Sequence, residues 1–110
     1  MIIWITGLKD SGKTFIGELL SSRSPSSIYL DADEMRKLWP HLGYSYQHRI
    51  ENNKNLARLA RSLEKQGFNI VVSSVCPYKK LRKELKETYH INFIQLRGGE
   101  DTMNCPYEED

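Results

Sequence analysis

The sequence has few of the features that mark membrane, secreted or metal-binding proteins. No apolar run in its 110 residues approaches the ~20 that a membrane-spanning helix needs, and the first seven residues lack the cationic flank of a signal peptide. Its two cysteines, Cys76 and Cys105, show no C-x-x-C spacing, so neither a disulfide framework nor a zinc site is expected. The sequence therefore predicts a protein of the reducing cytoplasm, without a membrane partner.

The sequence also has no large excess of positive or negative charge. The formal net charge is +2, which is too weak to indicate a polyanionic partner. The sequence has no basic stripe on a recognisable nucleic-acid-binding fold, so no nucleic-acid partner is expected. Residues 79–86 are rich in lysine and the last eleven residues are rich in acid. We interpret these stretches as a solvated helix face and a solvated tail.

The composition, 39% hydrophobic and 27% charged, is that of a globular chain, and we expect one domain over residues 1–110. Short apolar runs predict strands at 2–6, 28–31, 68–75 and 90–96. Helices are predicted at 13–21, at 33–38, from the N-cap Ser45 to Gly67, and from Pro77 to about residue 88. Alternating strands and helices predict an α/β fold, a small doubly wound parallel sheet with its ligands at the carboxyl ends of the strands. So small a core would gain from burial in a homodimer.

The strongest motif directly follows the first predicted strand. Residues 7–14 match G-x-x-x-x-G-K-[ST], a loop whose backbone N–H groups surround phosphates. Lys13 would reach the β- and γ-phosphates of ATP, and the Thr14 hydroxyl would bind Mg²⁺. The predicted ATP-binding residues are Gly7, Leu8, Lys9, Asp10, Ser11, Gly12, Lys13 and Thr14. The Asp10 carboxylate is unusual there, because it repels phosphates unless it points outward or a metal bridges it.

Two carboxylates end the second predicted strand. One of them, preferably Asp33, would take the proton of an acceptor hydroxyl or hold a magnesium-bound water. Arg36 lies one helical turn further on and would reach the same cleft. For Asp31, a role as helix N-cap is the alternative. We therefore expect Lys13 and Asp33 to be catalytic, and Thr14 and Asp33 to be the metal ligands.

In order and spacing, residues 1–96 resemble the adenylylsulfate kinases. The matching stretches are residues 7–14, 30–36, 42–45, Arg49 with Asn52, 56–60, and 66–67 followed by 70–78. The resemblance implies a kinase of sulfate assimilation that transfers the γ-phosphoryl group of ATP to the 3′-hydroxyl of adenylylsulfate. The acceptor site that it implies consists of Asp31, Arg36, Tyr44, Arg49, Asn52, Val75 and Cys76.

Three positions depart from the pattern of that family. Cys76 replaces its serine, Lys79 an arginine and His48 an aspartate. Two interpretations of Cys76 are open, a reactive thiol at a helix N-terminus or a buried, inert side chain. Lys79 keeps the charge but loses the bidentate guanidinium fork. For His48 we expect a solvent-facing position on its helix.

The largest departure is the missing lid helix, because the chain passes from Leu96 directly to a Cys-Pro-Tyr-Glu segment at 105–108. Without a lid, Arg97 and Lys9 are the nearest cations, unless a partner subunit supplies one. Residues 98–107 either close over the adenine or form a frayed tail. Three functions remain open: a kinase for adenylylsulfate or another nucleotide, a non-catalytic nucleotide-binding module, and a domain that serves a complex without nucleotide.

Overall fold

A computed structural model describes residues 1–8, 11–98 and 107–109 of the chain. Four strands form one sheet: β1 (Ile2–Thr6), β2 (Ser27–Asp31), β3 (Asn69–Ser73) and β4 (Asn92–Gln95). Their order is β2-β3-β1-β4, and all neighbouring strands run parallel. The predicted α/β class with a four-stranded parallel sheet is confirmed.

Helices connect the parallel strands, as crossover connections require. These are α1 (Lys13–Ser21), α2 (Ala32–Met35), α3 (Tyr46–Lys65) and α4 (Lys79–Tyr89), and a 3₁₀ turn at Arg36–Leu38 follows α2. Ser45 caps α3 as predicted, since its hydroxyl accepts a hydrogen bond from the His48 N–H at 3.2 Å. Gly67, at φ 100°, takes the left-handed conformation just past the end of α3.

The core lies mainly between one face of the sheet and the helices α3 and α4. Trp4 and Val72 are fully buried there, in one cluster with Leu56 of α3 and Leu85 of α4. Side chains alternate along a strand, so Tyr29 points to the opposite face, where it contacts Gly17 of α1. The sheet is thus covered on both sides, which explains why β3 is almost continuously apolar.

Several element boundaries differ from the sequence prediction. β3 ends at Ser73 rather than at residue 75, and the chain then turns at Cys76, whose φ is 41°. His90 is not in a strand but ends α4 at φ 57°. Pro77 precedes α4, whose N-cap is Tyr78, and the predicted helix 33–38 is a short α-helix followed by the 3₁₀ turn.

The parallel arrangement brings the carboxyl ends of β1, β2 and β3 to one edge of the sheet. In this strand order the connections leave β1 and β3 in opposite directions, and such a switch point is where α/β sheets bind ligands. Within residues 1–8, 11–98 and 107–109, no helix has the length and apolar character needed to cross a membrane.

Candidate functional site

A cleft of about 810 Å³ opens at the carboxyl ends of β1, β2 and β3. It is large enough for a nucleotide-sized ligand. The residues that were predicted from the sequence and that line this cleft are Gly12, Lys13, Thr14, Asp31, Asp33, Arg36, Tyr44, Arg49, Asn52, Val75 and Cys76. The fold thus brings the end of the phosphate-binding motif and the expected acceptor residues together in one cavity, whereas Gly7, Leu8 and Ser11 do not line it.

The motif forms a turn between β1 and α1, although Lys9 and Asp10 lie outside the described residues. Gly7 has a φ of 153°, and a Cβ there would lie only 2.7 Å from the backbone oxygen of Leu96. Gly12 has a φ of 95° and supplies no side chain to cap α1. A larger residue is therefore excluded at Gly7, and among the described residues no side chain caps the first turn of α1.

Lys13 and Thr14, which follow the turn, have polar partners within the chain. The Lys13 ammonium group donates to the backbone oxygen of Leu8 at 2.6 Å, so it lies against the motif itself. The Tyr29 hydroxyl bonds to the Ser73 hydroxyl and also interacts with Thr14. Burial raises the pKa of Tyr29, while its hydrogen bonds with Ser73 and Thr14 act in the opposite direction. Tyr29 therefore connects Thr14 to the end of β3.

The two carboxylates after β2 have different surroundings. Asp31 accepts a hydrogen bond from the Asp33 N–H at 3.0 Å and caps α2, as the alternative interpretation of that residue predicts. Within the part of the chain that the structure describes, the Asp33 carboxylate has no hydrogen bond or ion pair, and it is exposed to the cleft. Asp33 is thus the carboxylate that is available for a ligand.

Tyr44 and two arginines form the far wall of the cleft. The Arg36 guanidinium lies 4.2 Å from the centre of the Tyr44 ring and donates to the backbone oxygen of Gly43 at 3.1 Å. Arg49 donates through Nε to the backbone oxygen of Tyr44 at 2.6 Å. Its Nη1 atom is buried and has no partner among the described residues. A buried donor without a partner is costly, so this atom marks a place where a ligand acceptor or water would fit.

Polar side chains of α3 form the floor of the cleft. Asn52 is 2% exposed, and the Trp39 indole N–H donates to its oxygen, which fixes the orientation of the amide. Asn53 donates to the Arg49 backbone oxygen at 2.9 Å and accepts from the Ser74 hydroxyl at 2.7 Å. The α3 face is therefore joined by hydrogen bonds to the loop that follows β3.

That loop, residues 74–77, carries Val75 and Cys76. Cys76 is 1% exposed, and burial raises the pKa of its thiol to about 12. At neutral pH the group is a thiol, not the thiolate that reacts as a nucleophile. The structure favours the inert interpretation of Cys76, which contributes to the wall of the cleft by its shape.

Two expectations about individual residues are corrected. His48 is half-buried rather than solvent-facing, because its Nδ1 atom accepts a hydrogen bond from the Gly43 N–H at 2.7 Å. Arg97 does not line the cleft but pairs with Glu109 at 3.3 Å. The expectation for Lys9 concerns a residue outside the described ones.

Sequence reasoning missed the residues that hold the site from behind. Tyr29, Asn53 and Ser74 support it, and so do Arg82 and Tyr107, which lie behind the loop after β3. One signal was present, since Gly17 in the middle of a helix indicates a close neighbour, and that neighbour is Tyr29. The other contacts join residues that are distant in sequence and leave no local pattern.

Thr14 and Asp33 fit a magnesium ion that is shared with phosphates. Mg²⁺ usually takes one or two oxygen ligands from the protein and fills its other positions with phosphate oxygens and water. Thr14 and Asp33 offer a hydroxyl and a carboxylate to the same cleft. The described residues contain no cluster of three or more His, Cys, Asp and Glu side chains that could hold a metal by themselves.

Known proteins that resemble this chain are kinases. The sequence model of the adenylylsulphate kinase family matches residues 1–105. Cytidine diphosphoramidate kinase of Campylobacter jejuni is 39% identical over 98 residues, which cover 82% of this chain and 58% of that protein. A probable adenylyl-sulfate kinase of Archaeoglobus fulgidus is 38% identical over 112 residues, which cover 97% of this chain and 68% of that protein.

Solved structures agree with the sequence matches. The Mycobacterium tuberculosis APS kinase in complex with AMPPNP and APS has a TM-score of 0.70 and 28% identity, over 86% of this chain and 59% of that one. The chain spans little more than half of several curated relatives, 58% of the Campylobacter jejuni protein and 55% of the adenylyl-sulfate kinase of Myxococcus xanthus.

Proposed function

Because the chain belongs to the adenylylsulphate kinase family, we propose that it transfers the γ-phosphoryl group of ATP to a hydroxyl group of a second nucleotide. The best-supported acceptor is adenylylsulfate, through its 3′-hydroxyl. One observation carries the proposal: a single cleft contains the phosphate-binding turn on one side and Asp33 with the arginine wall on the other. Phosphoryl transfer needs the donor phosphate and the acceptor hydroxyl to be held together in this way.

The ATP side of the proposed site is the first turn of α1. No described side chain caps this turn, and its backbone N–H groups and the positive end of the helix dipole favour a polyphosphate. Lys13 would leave the Leu8 oxygen for the β- and γ-phosphates, which are stronger acceptors for an ammonium group. Thr14 would hold Mg²⁺, and Asp33 would hold a water molecule bound to that ion; Mg²⁺ neutralises charge as it develops on the transferred group.

The acceptor side is the wall that Tyr44, Arg36 and Arg49 form. Tyr44 is 68% exposed and presents an aromatic ring to a base. The orphan Nη1 of Arg49 would donate to an anionic oxygen of the acceptor, such as that of a phosphosulfate. Asn52, held by Trp39, would recognise a polar edge. Asp33 would accept the proton of the attacking hydroxyl, because the Asp31 carboxylate is engaged in capping α2.

A second candidate acceptor is cytidine diphosphoramidate, the substrate that the name of the Campylobacter jejuni relative gives. That relative is 39% identical to this chain. In addition, Cys76 and Lys79 depart from the residues that an adenylylsulfate kinase has at these positions. The choice between the two acceptors is a question about the acceptor side alone.

The deciding experiment incubates the protein with Mg-ATP and a panel of acceptors: adenylylsulfate, cytidine diphosphoramidate and nucleoside monophosphates. We expect turnover of one nucleotide acceptor, adenylylsulfate first. Turnover of cytidine diphosphoramidate alone would select the second candidate. ATP binding without product on any acceptor would instead show that the protein is a nucleotide-binding module. The absence of ATP binding would contradict the proposed function altogether.

Asp33→Asn tests the proposed base. We expect turnover to fall by about 100-fold with ATP binding largely unchanged, because the amide cannot take up the proton. Glu34→Gln is the matched control, since Glu34 is an exposed neighbour that pairs with Lys37 at 3.0 Å and does not line the cleft. Equal losses in both variants would contradict the role of Asp33.

A further inference from the structure

Two residues near the end of the chain contact the surroundings of the loop after β3: Tyr107 contacts the end of β1, and Glu108 contacts the loop itself. The Tyr107 hydroxyl lies 3.0 Å from the Thr6 hydroxyl, across a sequence separation of 101 residues. The Glu108 N–H donates to the Pro77 oxygen at 2.9 Å, and its carboxylate accepts from the Lys79 N–H at 2.8 Å. This segment is therefore tied both to the end of β1 and to the start of α4.

Arg82 of α4 joins the same two residues to the loop from inside. It is 3% exposed, and its Nη1 donates to the backbone oxygen of Cys76 at 2.8 Å while its Nη2 donates to the backbone oxygen of Glu108. The guanidinium also lies 4.6 Å from the centre of the Tyr107 ring. Burying a guanidinium is unfavourable unless its donors are satisfied, so Arg82 depends on both the loop and the segment. We call Arg82, Tyr107 and Glu108 the brace.

The consequence for the loop is that three successive backbone oxygens are held. The Val75 oxygen accepts from the Thr6 hydroxyl, the Cys76 oxygen from Arg82 and the Pro77 oxygen from the Glu108 N–H. Thr6 has a single proton, which it gives to Val75, so the Tyr107 hydroxyl is the donor in its contact with Thr6. Cys76 has a φ of 41°, an unfavourable conformation for a residue with a side chain. Such a conformation persists only where neighbouring contacts enforce it.

These held residues are also the residues that face the cleft. Val75, Cys76 and Pro77 line it on the side of the β3 end, whereas the ATP side is formed by Gly12, Lys13 and Thr14. We propose that the brace is a positioning element for the acceptor nucleotide: it fixes the 75–77 loop in the shape against which the acceptor binds. This inference rests on the proposed function, and it concerns binding of the acceptor and not of ATP.

The test compares Glu108→Ala with the neighbouring Glu109→Ala. Glu108→Ala removes the carboxylate from the start of α4, whereas Glu109→Ala removes an exposed ion pair with Arg97, which contributes little. We expect the acceptor KM to rise about tenfold in Glu108→Ala, the ATP KM to stay within about twofold, and Glu109→Ala to match the wild type. A merely structural role would lower kcat through loss of folded enzyme and leave both KM values unchanged.

Tyr107 gives a second, independent comparison. Tyr107→Ala removes the ring beside Arg82, and Tyr107→Phe keeps the ring but loses the hydroxyl contact with Thr6. We expect the acceptor KM to rise in the order wild type, Phe, Ala. An unchanged acceptor KM in both Tyr107→Ala and Glu108→Ala would overturn the proposal, and so would equal increases in the KM values of ATP and acceptor.

Binding measurements separate failure of this inference from failure of the proposed function. Calorimetric titration of the protein with adenylylsulfate, and with cytidine diphosphoramidate, needs no catalysis. If the wild type binds one of them without turnover, the kinase proposal fails, and a tenfold weaker Kd in Glu108→Ala still supports the brace. A Kd that is equal in Tyr107→Ala, Glu108→Ala and wild type would reject the brace, whether or not the protein is a kinase.

Discussion

Tyr29 occupies the space beside α1 that a glycine at position 17 leaves open. An added Cβ at Gly17 would lie 2.4 Å from the Tyr29 ring. The ring has little freedom to move away, because its hydroxyl bonds to Ser73 and interacts with Thr14. A glycine in a helix interior costs about 1 kcal/mol relative to alanine. Here that cost is offset by a tyrosine that supports the phosphate-binding turn.

Gly17→Ala should therefore destabilise the protein, by about 1–2 kcal/mol, although alanine is the better helix former. Overpacking costs about 1–3 kcal/mol, which exceeds the gain in helix propensity. Urea unfolding followed by circular dichroism would measure the change. In a Tyr29→Leu background, where the clash is removed, the same substitution should be neutral or stabilising. An equal loss in both backgrounds would show that the ring is not the cause.

At the scale of elements, the four helices differ in what satisfies their N-termini. Asp31 caps α2, Ser45 caps α3, and the Glu108 carboxylate accepts from the first residue of α4. Among the described residues, no side chain caps α1, and its first turn contains no acidic residue. Of these four helices, α1 is thus the one whose start no described side chain caps, and its N-terminus favours an anion.

Ser45→Ala should destabilise the protein by about 1 kcal/mol, because the His48 N–H loses its acceptor at the start of α3. Gln47→Ala in the same turn is the control, since Gln47 is exposed and makes no capping contact. The midpoints of urea unfolding for the two variants give the comparison. Equal midpoints would mean that the cap contributes nothing measurable.

At the scale of the whole molecule, the strand order explains why one cleft collects residues from the entire sequence. β1 and β3 are neighbours in the interior of the sheet, with β2 and β4 at its edges. The turn after β1, the carboxylates after β2 and the loop after β3 must therefore meet at one edge. The brace joins that edge from the far end of the chain.

Binding of Mg-ATP should stabilise the entire fold and raise its Tm. At an ATP concentration 100 times the Kd, the expected stabilisation is about 2.7 kcal/mol. Lys13→Ala should lose most of this shift, because the ammonium group that would meet the phosphates is removed. Lys83→Ala, a change at an exposed lysine of α4, should keep it. Differential scanning calorimetry would measure the change in Tm on adding Mg-ATP. An equal change in the wild type, Lys13→Ala and Lys83→Ala would exclude Lys13 from the ATP site.

Local signals in the sequence were sufficient to predict the two elements on either side of the phosphate-binding motif. The predicted bounds of β1 and α1 agree with the structure, since β-branched residues and a glycine-lysine turn act within a few positions. The end of β3 could not be predicted. Residues 74 and 75 are as compatible with a strand as those before them, and only the contacts at Cys76 turn the chain.

The candidate site likewise contains some residues that the sequence predicts and others that only the structure reveals. Lys13 and Thr14 were predicted from the spacing of the phosphate-binding motif, and Asp33 was preferred to Asp31 from its place after the second strand. The structure adds a reason for that preference, since it shows Asp31 occupied as a cap. The half-buried position of His48 also could not be predicted from the sequence, since it depends on a hydrogen bond from the Gly43 N–H.

By itself, then, the sequence determined the order of strands and helices and the phosphate-binding chemistry of the first turn, because both depend on residues a few positions apart. The tertiary structure alone decided which residues support the cleft from behind. Thr6, Val75 and Tyr107 meet only when the sheet has formed, and no local spacing encodes a contact between residues that the folded sheet brings together.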